Sequence, residues 1–227
     1  MDTDILARCT HGFLVEQRRK LWRPMIHVIK TCAAIRPDET VCVPLSSRAD
    51  TVLMALMLSQ LHDHSDFPFR LLFFSDSKPL ADELAPLFPD VCSAPPPPAP
   101  DVSIALPWTS QDTVEYLLDQ LFNAGRIRGV LPRSRAGSGY RVIRPLFDIR
   151  REDIASWQQK FFPSLPLGWE KVSPEQQEIR QLIARLKTGN PDLEKNIFNS
   201  LHNLDLDTMA GQDMCSHVPC SGEESYR

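Results

Sequence analysis

Residues 40–51, TVCVPLSSRADT, decide the fold, because a short apolar run passes directly into a hydroxyl-rich loop. The continuous apolar run at 40–45 is typical of a strand buried on both faces. Pro44 cannot donate to a strand ladder, so we expect it at the end of that strand. From Asp50 onward, apolar residues recur at helical spacing as far as His64. A buried strand followed at once by a helix is the opening unit of a parallel α/β sheet.

The same alternation continues along the chain on both sides of this unit. Helical periodicity predicts one or two helices within 12–35, and apolar runs predict further strands at 69–74, 102–106 and 141–146. Thr109 or Ser110 is expected to cap a helix, Ser173 with Gln176 predicts a capping box, and the prolines at 95–98 predict an extended linker. Additional helices are predicted at 80–88, 151–161 and from 190 onward. The fold class is therefore α/β, with a mostly parallel sheet and helices on both faces.

This pattern also sets the expected organisation of the chain. N-terminal helices are expected in residues 1–36 and the α/β domain in 37–165. Further helices at 166–210 are expected to pack on that domain. Residues 211–227 are small and polar, which predicts a flexible tail.

Composition bounds the class of protein. The chain has 227 residues, of which 42% are hydrophobic and 24% charged, as is usual for a globular domain with a core. No apolar run reaches the roughly eighteen residues that a membrane helix needs, and the acidic start carries no signal-like segment. We therefore expect a cytoplasmic protein that does not bind a membrane. The pattern says nothing about its oligomeric state.

The six cysteines form no Cys-x-x-Cys pair, and their spacing favours free thiols over a disulfide framework. Cys215 and Cys220, with His217 between them, are an open alternative as metal ligands. The favoured interpretation is that this tail holds no metal.

Charge is distributed unevenly. The net charge is −4, yet residues 126–151 contain eight arginines and one acidic residue, Asp148. Two interpretations stay open for this arginine segment. It is a solvated face that needs no partner, or it contacts the phosphates of an RNA.

The exit of the first strand is the candidate ligand site, because ligands of open α/β sheets bind outside the carboxyl ends of the strands. Backbone amides at the start of the following helix suit an anion such as pyrophosphate. The alternative is a plain helix cap, since Ser46, Ser47, Asp50 and Thr51 are all good capping residues.

Residues 43–52 resemble the PP-loop signature, in which a strand is followed by Ser-Gly-Gly-x-Asp-Ser. Ser46, Asp50 and Thr51 match that signature, while Ser47 and Arg48 stand in place of its two glycines. Ala49 replaces the lysine that is usual in this branch. Residues 107–115, at the exit of the third strand, resemble the family's His-His-x-Asp-Asp-x-x-Glu-Thr segment. There Asp112 and Glu115 match, and both histidines and the first aspartate do not.

The resemblance is most specific farther along the chain. Residues 121–132 and 142–154 are similar to two segments of the tRNA 2-thiocytidine synthetases, Asn-Leu-Phe-x-Gly-Gly-Arg/Lys-Leu-Lys-x-Met-Pro-Pro and Val-Ile-Arg-Pro-Leu-x-x-Val-Arg-Glu-x-Asp-Ile. Residues 190–203 resemble the C-terminal helices of that family. The likeness covers roughly residues 15–210, and it implies an adenine nucleotide alpha hydrolase-like fold related also to the N-terminal part of tRNA lysidine synthetase.

The resemblance implies ATP and Mg²⁺ as cofactors, tRNA as partner, and activation of a tRNA base as an adenylate with release of pyrophosphate. Asp50 or Asp112 would place the Mg²⁺. The family's cluster cysteines are missing, so no iron–sulfur cluster is expected. The ATP contacts implied are Ser46, Ser47, Arg48, Asp50, Thr51 and Asp112. The RNA contacts implied within the arginine segment are Arg126, Arg128, Arg133, Arg135 and Arg144.

Loss of the glycines leaves three hypotheses open. A Cβ at either loop position crowds a bound phosphate, although Arg48 has a charge of its own to offer one. The first hypothesis is an ATP-dependent tRNA-modifying enzyme with a rebuilt loop and no catalytic residue that the sequence identifies. The second is a catalytically inactive relative that binds RNA or protein. The third is a protein-interaction module that ignores RNA.

Overall fold

A computed structural model describes residues 18–64, 66–85, 87–88, 90–124, 129–136, 139–161, 163 and 173–202. The strands are β1 (Thr40–Pro44), β2 (Arg70–Phe74), β3 (Val102–Ala105), β4 (Arg133–Arg135) and β5 (Arg141–Ile143). The helices are α1 (Arg23–Thr31), α2 (Ala49–His64), α3 (Lys78–Leu84), α4 (Ser110–Asp119), α5 (Arg151–Phe161), α6 (Pro174–Gly189) and α7 (Leu193–His202). A π-helical turn, Arg18–Trp22, leads into α1, and another, Gln120–Ala124, follows α4.

The strands form one five-stranded sheet in the order β2-β1-β3-β5-β4. Strand β1 pairs in parallel with β2 and β3, and β3 pairs in parallel with β5, while β4 is an antiparallel edge strand. The predicted α/β class with a mostly parallel sheet is confirmed. Because the chain leaves β1 toward β2 and later returns to β3 on its other side, the strand order switches at β1 and β3.

Strand β1 shows how the sequence divides the core between the two faces of the sheet. Val41 and Val43 are fully buried in the main core, together with residues of α1, α2 and α5. Cys42 points to the opposite face, where it clusters with Ile104 and is packed by Tyr140 from the loop before β5. Side chains alternate across a strand, so this run of three apolar residues fills both faces.

The C-terminal helices bury their apolar faces against α4. Val114 of α4 packs with Ile179 and Ile183 of α6, and Leu117 packs with Leu201 of α7. The predicted capping box of Ser173 begins α6, and of the two predicted caps of α4 it is Thr109 that caps the helix, in a capping box with Asp112. The division of the chain into four units stays a prediction, and the tail at 211–227 lies outside the described residues.

Most predicted elements are confirmed within a few residues of their bounds, and Pro44 ends β1 as expected. Strand β4 was not predicted, because Arg133-Ser134-Arg135 offers no apolar residue to mark it. The predicted strand at 141–146 ends at Ile143, before Arg144 and Pro145. None of the helices in the described part of the chain is long and apolar enough to cross a membrane.

Candidate nucleotide crevice and its arginine partners

The crevice at the carboxyl ends of β1 and β3 is the candidate site, because the strand order switches between these two neighbours. One wall is the loop from Leu45 to Arg48, and the other is the segment from Leu106 to Thr109. The amide of Leu45 still donates to Phe74 of β2 (2.8 Å), and that of Leu106 donates to Ile143 of β5 (2.8 Å). The strands therefore hold both walls in place.

Within the β1 loop, hydroxyl and amide groups bond to one another. Ser46 Oγ lies 2.9 Å from Thr51 Oγ1 and accepts from the Arg48 amide at 3.3 Å. The amide of Thr51 donates to Asp50 Oδ1 at 2.8 Å. The backbone amides of Arg48 and Thr51 are thus directed to side-chain oxygens of the loop itself.

Arg48 and Asp50 form the central contact of this loop. Arg48 Nε donates to Asp50 Oδ1 at 2.9 Å, and Arg48 Nη2 pairs with Asp50 Oδ2. The Asp50 side chain is completely buried, whereas that of Arg48 is 21% exposed. A bidentate pair of this kind fixes geometry as well as charge. Both oxygens of the predicted Mg²⁺ ligand therefore already have a cationic partner.

Asp112, the other predicted Mg²⁺ ligand, serves as a helix cap. Its Oδ2 accepts from the Thr109 amide (2.8 Å) and the Thr109 hydroxyl (2.6 Å), and its Oδ1 pairs with Arg151 Nη2. As in Asp50, both carboxylate oxygens of Asp112 therefore accept hydrogen bonds from other groups of the protein.

Arg151 joins three helices. Its Nη1 donates to Glu115 Oε1 at 3.0 Å, and Glu115 Oε2 accepts from Arg180 of α6 at 2.8 Å. Burial by itself lowers the pKa of Arg151, but the Asp112 and Glu115 carboxylates outweigh it and raise that pKa above its ordinary value. The guanidinium is therefore a permanent cation at the start of α5, next to the crevice wall.

Only part of the predicted RNA contact set is placed by the structure. Arg126 and Arg128 lie outside the described residues, and so does the side chain of Arg135, although its backbone is in β4. Arg133 is exposed, and its Nη1 donates to the carbonyl of Ala33 at 3.3 Å.

The prediction for Arg144 is wrong, because its side chain is completely buried. Its guanidinium lies 4.3 Å from the centre of the Trp108 ring and donates to Leu131 O (2.7 Å) and Ser134 Oγ (2.9 Å). These internal acceptors and the aromatic ring replace water around the charge. Arg144 is therefore a structural cation that joins β4 and β5 to the wall of the crevice.

Of the two arginines of the segment next described, one is turned inward and one is not. Arg141 pairs with the buried Glu39 at 2.9 Å and donates to Ala34 O at 2.6 Å. Arg150 is exposed, with its Nε 3.1 Å from Asp153 Oδ2. A count of charges along the sequence does not reveal the acceptors of Arg141, because Glu39 and Ala34 lie about a hundred residues before it. The count of eight arginines therefore overstates the positive charge that the segment presents to solvent.

The three described cysteines are free thiols. Burial, followed by the nearby Cys92, raises the pKa of the Cys42 thiol to about 11, and burial followed by Asp148 raises the pKa of Cys32. Both shifts disfavour the thiolate that metals require. Within the described ranges, no three His, Cys, Asp or Glu side chains are grouped to hold a metal ion. Outside those ranges lie Cys9, Cys215, His217 and Cys220.

The sheet topology defines an α/β protein whose strand order switches between β1 and β3. No family model matches the chain. The tRNA-cytidine(32) 2-sulfurtransferase of Nitrosospira multiformis is 29% identical over 105 residues, 44% of this chain and 35% of that protein. The protein of the same name from Anaeromyxobacter sp. is 27% identical over 127 residues, 54% of this chain and 42% of that protein. The matched stretch thus spans less than half the length of these relatives.

Among solved structures, the U34-tRNA thiolase NcsA from Methanococcus maripaludis has a similar fold, with a TM-score of 0.55 at 10% identity. The superposition covers 80% of this chain and 77% of that one. The sequence matches and the similar fold support the resemblance to the PP-loop superfamily of tRNA-thiolation-like proteins, at low identity.

This neighbour also corrects one expectation. The U34-tRNA thiolase carries a 4Fe–4S cluster, so the expectation of no iron–sulfur cluster, which rested on missing Cys-x-x-Cys spacing, is overturned. The described residues supply no ligand set for a cluster. No chemical step is therefore derived through one.

Proposed function

We propose that this protein binds tRNA as a PP-loop relative of the tRNA-modifying type, and that its β1 loop does not by itself activate a substrate with ATP. One observation carries the second part: Arg48 holds both carboxylate oxygens of Asp50, which is completely buried. The names of the curated relatives support the first part, since both are tRNA sulfurtransferases.

The physical case against ATP chemistry at the loop concerns donors and ligands. A triphosphate needs backbone amides aimed at it, and here the amides of Arg48 and Thr51 are directed to Ser46 Oγ and Asp50 Oδ1. A Mg²⁺ ion prefers carboxylate oxygens, and those of Asp50 accept from Arg48. Hydrogen bonds to charged groups contribute about 1.5–3 kcal/mol each, so releasing Asp50 for a metal has a real cost.

The case for tRNA rests on charge and on the relatives. Arg133 is exposed on the edge strand β4. Arg126, Arg128 and Arg135 remain proposed RNA contacts through their sequence positions on either side of it. Phosphate contacts supply most of the affinity of such interfaces and make it sensitive to salt.

A second candidate, the ATP-dependent enzyme, is favoured by one observation. Arg48 is 21% exposed at the crevice, and Ser47 beside it is exposed. If the guanidinium turned from Asp50 to a bound phosphate, it would replace the lost glycine contacts with charge and free a carboxylate for Mg²⁺. The substrate oxygen would then attack the α-phosphorus of ATP to give an adenylate, with pyrophosphate as leaving group.

Two measurements separate these candidates. We expect filter binding to detect salt-sensitive retention of bulk tRNA by the full chain, while Mg-ATP gives no heat in calorimetric titration and no pyrophosphate with tRNA present. Heat and pyrophosphate together would establish the enzyme instead. An absence of tRNA retention at low salt would remove the proposed function.

A further inference from the structure

We propose that the segment 18–36, which includes α1 and the π-helical turn before it, is a docking face for the phosphate backbone of RNA. This inference rests on the proposed tRNA binding and locates its main electrostatic contact. This segment is separate in sequence from the arginine segment, 126–151.

The segment combines an extreme charge bias with full exposure of the charges. It contains six basic residues and no acidic one. All six are exposed, and they are Arg18, Arg19, Lys20, Arg23, Lys30 and Arg36. Lys20 lies 3.4 Å from Asp153 with its side chain still 59% exposed. This surface therefore presents its charge to solvent, as phosphate recognition requires.

The other side of the same segment is anchored in the core. Leu21 and Met25 are completely buried, and Val28 and Ile29 nearly so. Leu21, Met25 and Ile29 belong to the main core cluster, which also contains residues of β1, α2 and α5. The cations therefore stand on a rigid element. Because most of its apolar residues lie in the protein core and only two partly buried ones line its outer surface, the segment lacks the broad apolar face with which amphipathic helices enter a lipid surface. This favours RNA over an anionic membrane as the partner.

The surface is also concave. A shallow cavity of about 330 Å³ is lined by Arg18, Arg23 and Lys30 together with Trp22, Ile26 and His27. Cations around a concave surface suit a nucleic-acid backbone, since each phosphate pairs with a positive charge. Arg133 contacts the Ala33 carbonyl just beyond α1, so the exposed part of the arginine segment is continuous with this face.

The test compares two triple variants with the same change in net charge. One is Arg18→Glu/Arg23→Glu/Lys30→Glu, and the matched control is Lys78→Glu/Arg185→Glu/Lys195→Glu, whose targets are exposed on other helices. Binding of bulk tRNA and of a fifteen-nucleotide oligouridylate to the full chain is followed by anisotropy across a salt series. We expect the first variant to lose about tenfold or more in affinity and to flatten the log–log salt slope by about 2, and the control to lose much less.

Equal losses in the two triples would overturn the docking face, because the effect would then come from net charge alone. Wild-type binding to phosphatidylserine vesicles, lost in the first triple while RNA binding stays, would also overturn it in favour of a membrane. Binding of oligouridylate through this face without preference for tRNA would leave the face standing and remove the tRNA function. If the wild type binds neither RNA, both proposals fail. Should the glutamate triple not fold, Arg18→Gln/Arg23→Gln/Lys30→Gln replaces it, with Lys78→Gln/Arg185→Gln/Lys195→Gln as its charge-matched control and the same criteria.

Discussion

Two basic regions of this protein differ in how far their charged side chains are exposed. In the arginine segment, 126–151, Arg141 and Arg144 are buried and Arg151 is largely so, each bonded to internal acceptors. In the segment 18–36, every lysine and arginine is exposed. The difference lies in the acceptors that the fold supplies. Positive charge counted along a sequence therefore indicates an RNA surface only where no tertiary carboxylate or carbonyl captures it.

The inward arginines also bear on the nucleotide crevice. Arg48 occupies Asp50, and Arg151 occupies Asp112, the two carboxylates predicted to place Mg²⁺. Removing one partner of such a buried pair destabilises the fold, and the pairing takes up the carboxylate oxygens that a metal ion would need. The same residue type thus pairs with carboxylates inside the protein and presents its charge to solvent on the segment 18–36.

Among substitutions that test the difference between inward and outward arginines, the largest effect is expected at Arg141. Arg141→Ala leaves Glu39 buried without its cationic partner, so we expect the free energy of unfolding to fall by about 3–5 kcal/mol. Urea denaturation measures the loss, and Arg150→Ala, which removes a largely exposed side chain, is the control, with an expected change within about 0.5 kcal/mol. Equal losses for the two variants would show that Arg141 is not an internal structural cation.

A smaller loss is expected at Arg151. Arg151→Ala removes charge-assisted bonds to Asp112 and Glu115, which should cost about 2–3 kcal/mol in unfolding free energy, since Glu115 retains Arg180. Arg151→Lys should recover only part of it, because an ammonium does not reproduce the forked geometry. Full recovery with lysine would mean that charge alone matters at this junction.

At Arg133 the effect should appear in RNA binding and hardly at all in stability. Arg133→Glu is expected to weaken tRNA binding several-fold and to reduce the log–log salt slope by about 1, as the loss of roughly one phosphate contact does. Anisotropy across a salt series measures both quantities. An unchanged slope would separate the arginine segment from the RNA face.

The smallest change in stability is expected on the outward face. Arg23→Ala should shift the unfolding free energy by no more than about 0.5 kcal/mol, because the side chain is exposed. Thermal melting beside the wild type measures it. A drop comparable to that of Arg151→Ala would mean that the exposed cations also hold the fold together.

Local pattern predicted the elements of this fold well, and tertiary pairing explains what it missed. The apolar run of β1, the periodicity of α2 and the capping boxes at Thr109 and Ser173 are all properties of neighbouring residues. Strand β4 has no apolar pattern in its sequence. It forms because its backbone pairs with that of β5. The partners of Arg141 and Arg144 come from distant residues, so a count of charges along the chain does not reveal them.

The closed β1 loop is the central claim, and restoring its glycines tests it most directly. Mg-ATP is titrated calorimetrically into the wild type and into Ser47→Gly/Arg48→Gly, which removes both the Cβ atoms and the guanidinium that holds Asp50. We expect no heat from the wild type at ligand concentrations of about 1 mM and saturable binding by the double variant. Mg²⁺-dependent ATP binding by the wild type, lost in the double variant, would contradict the claim, because Arg48 would then be a nucleotide ligand.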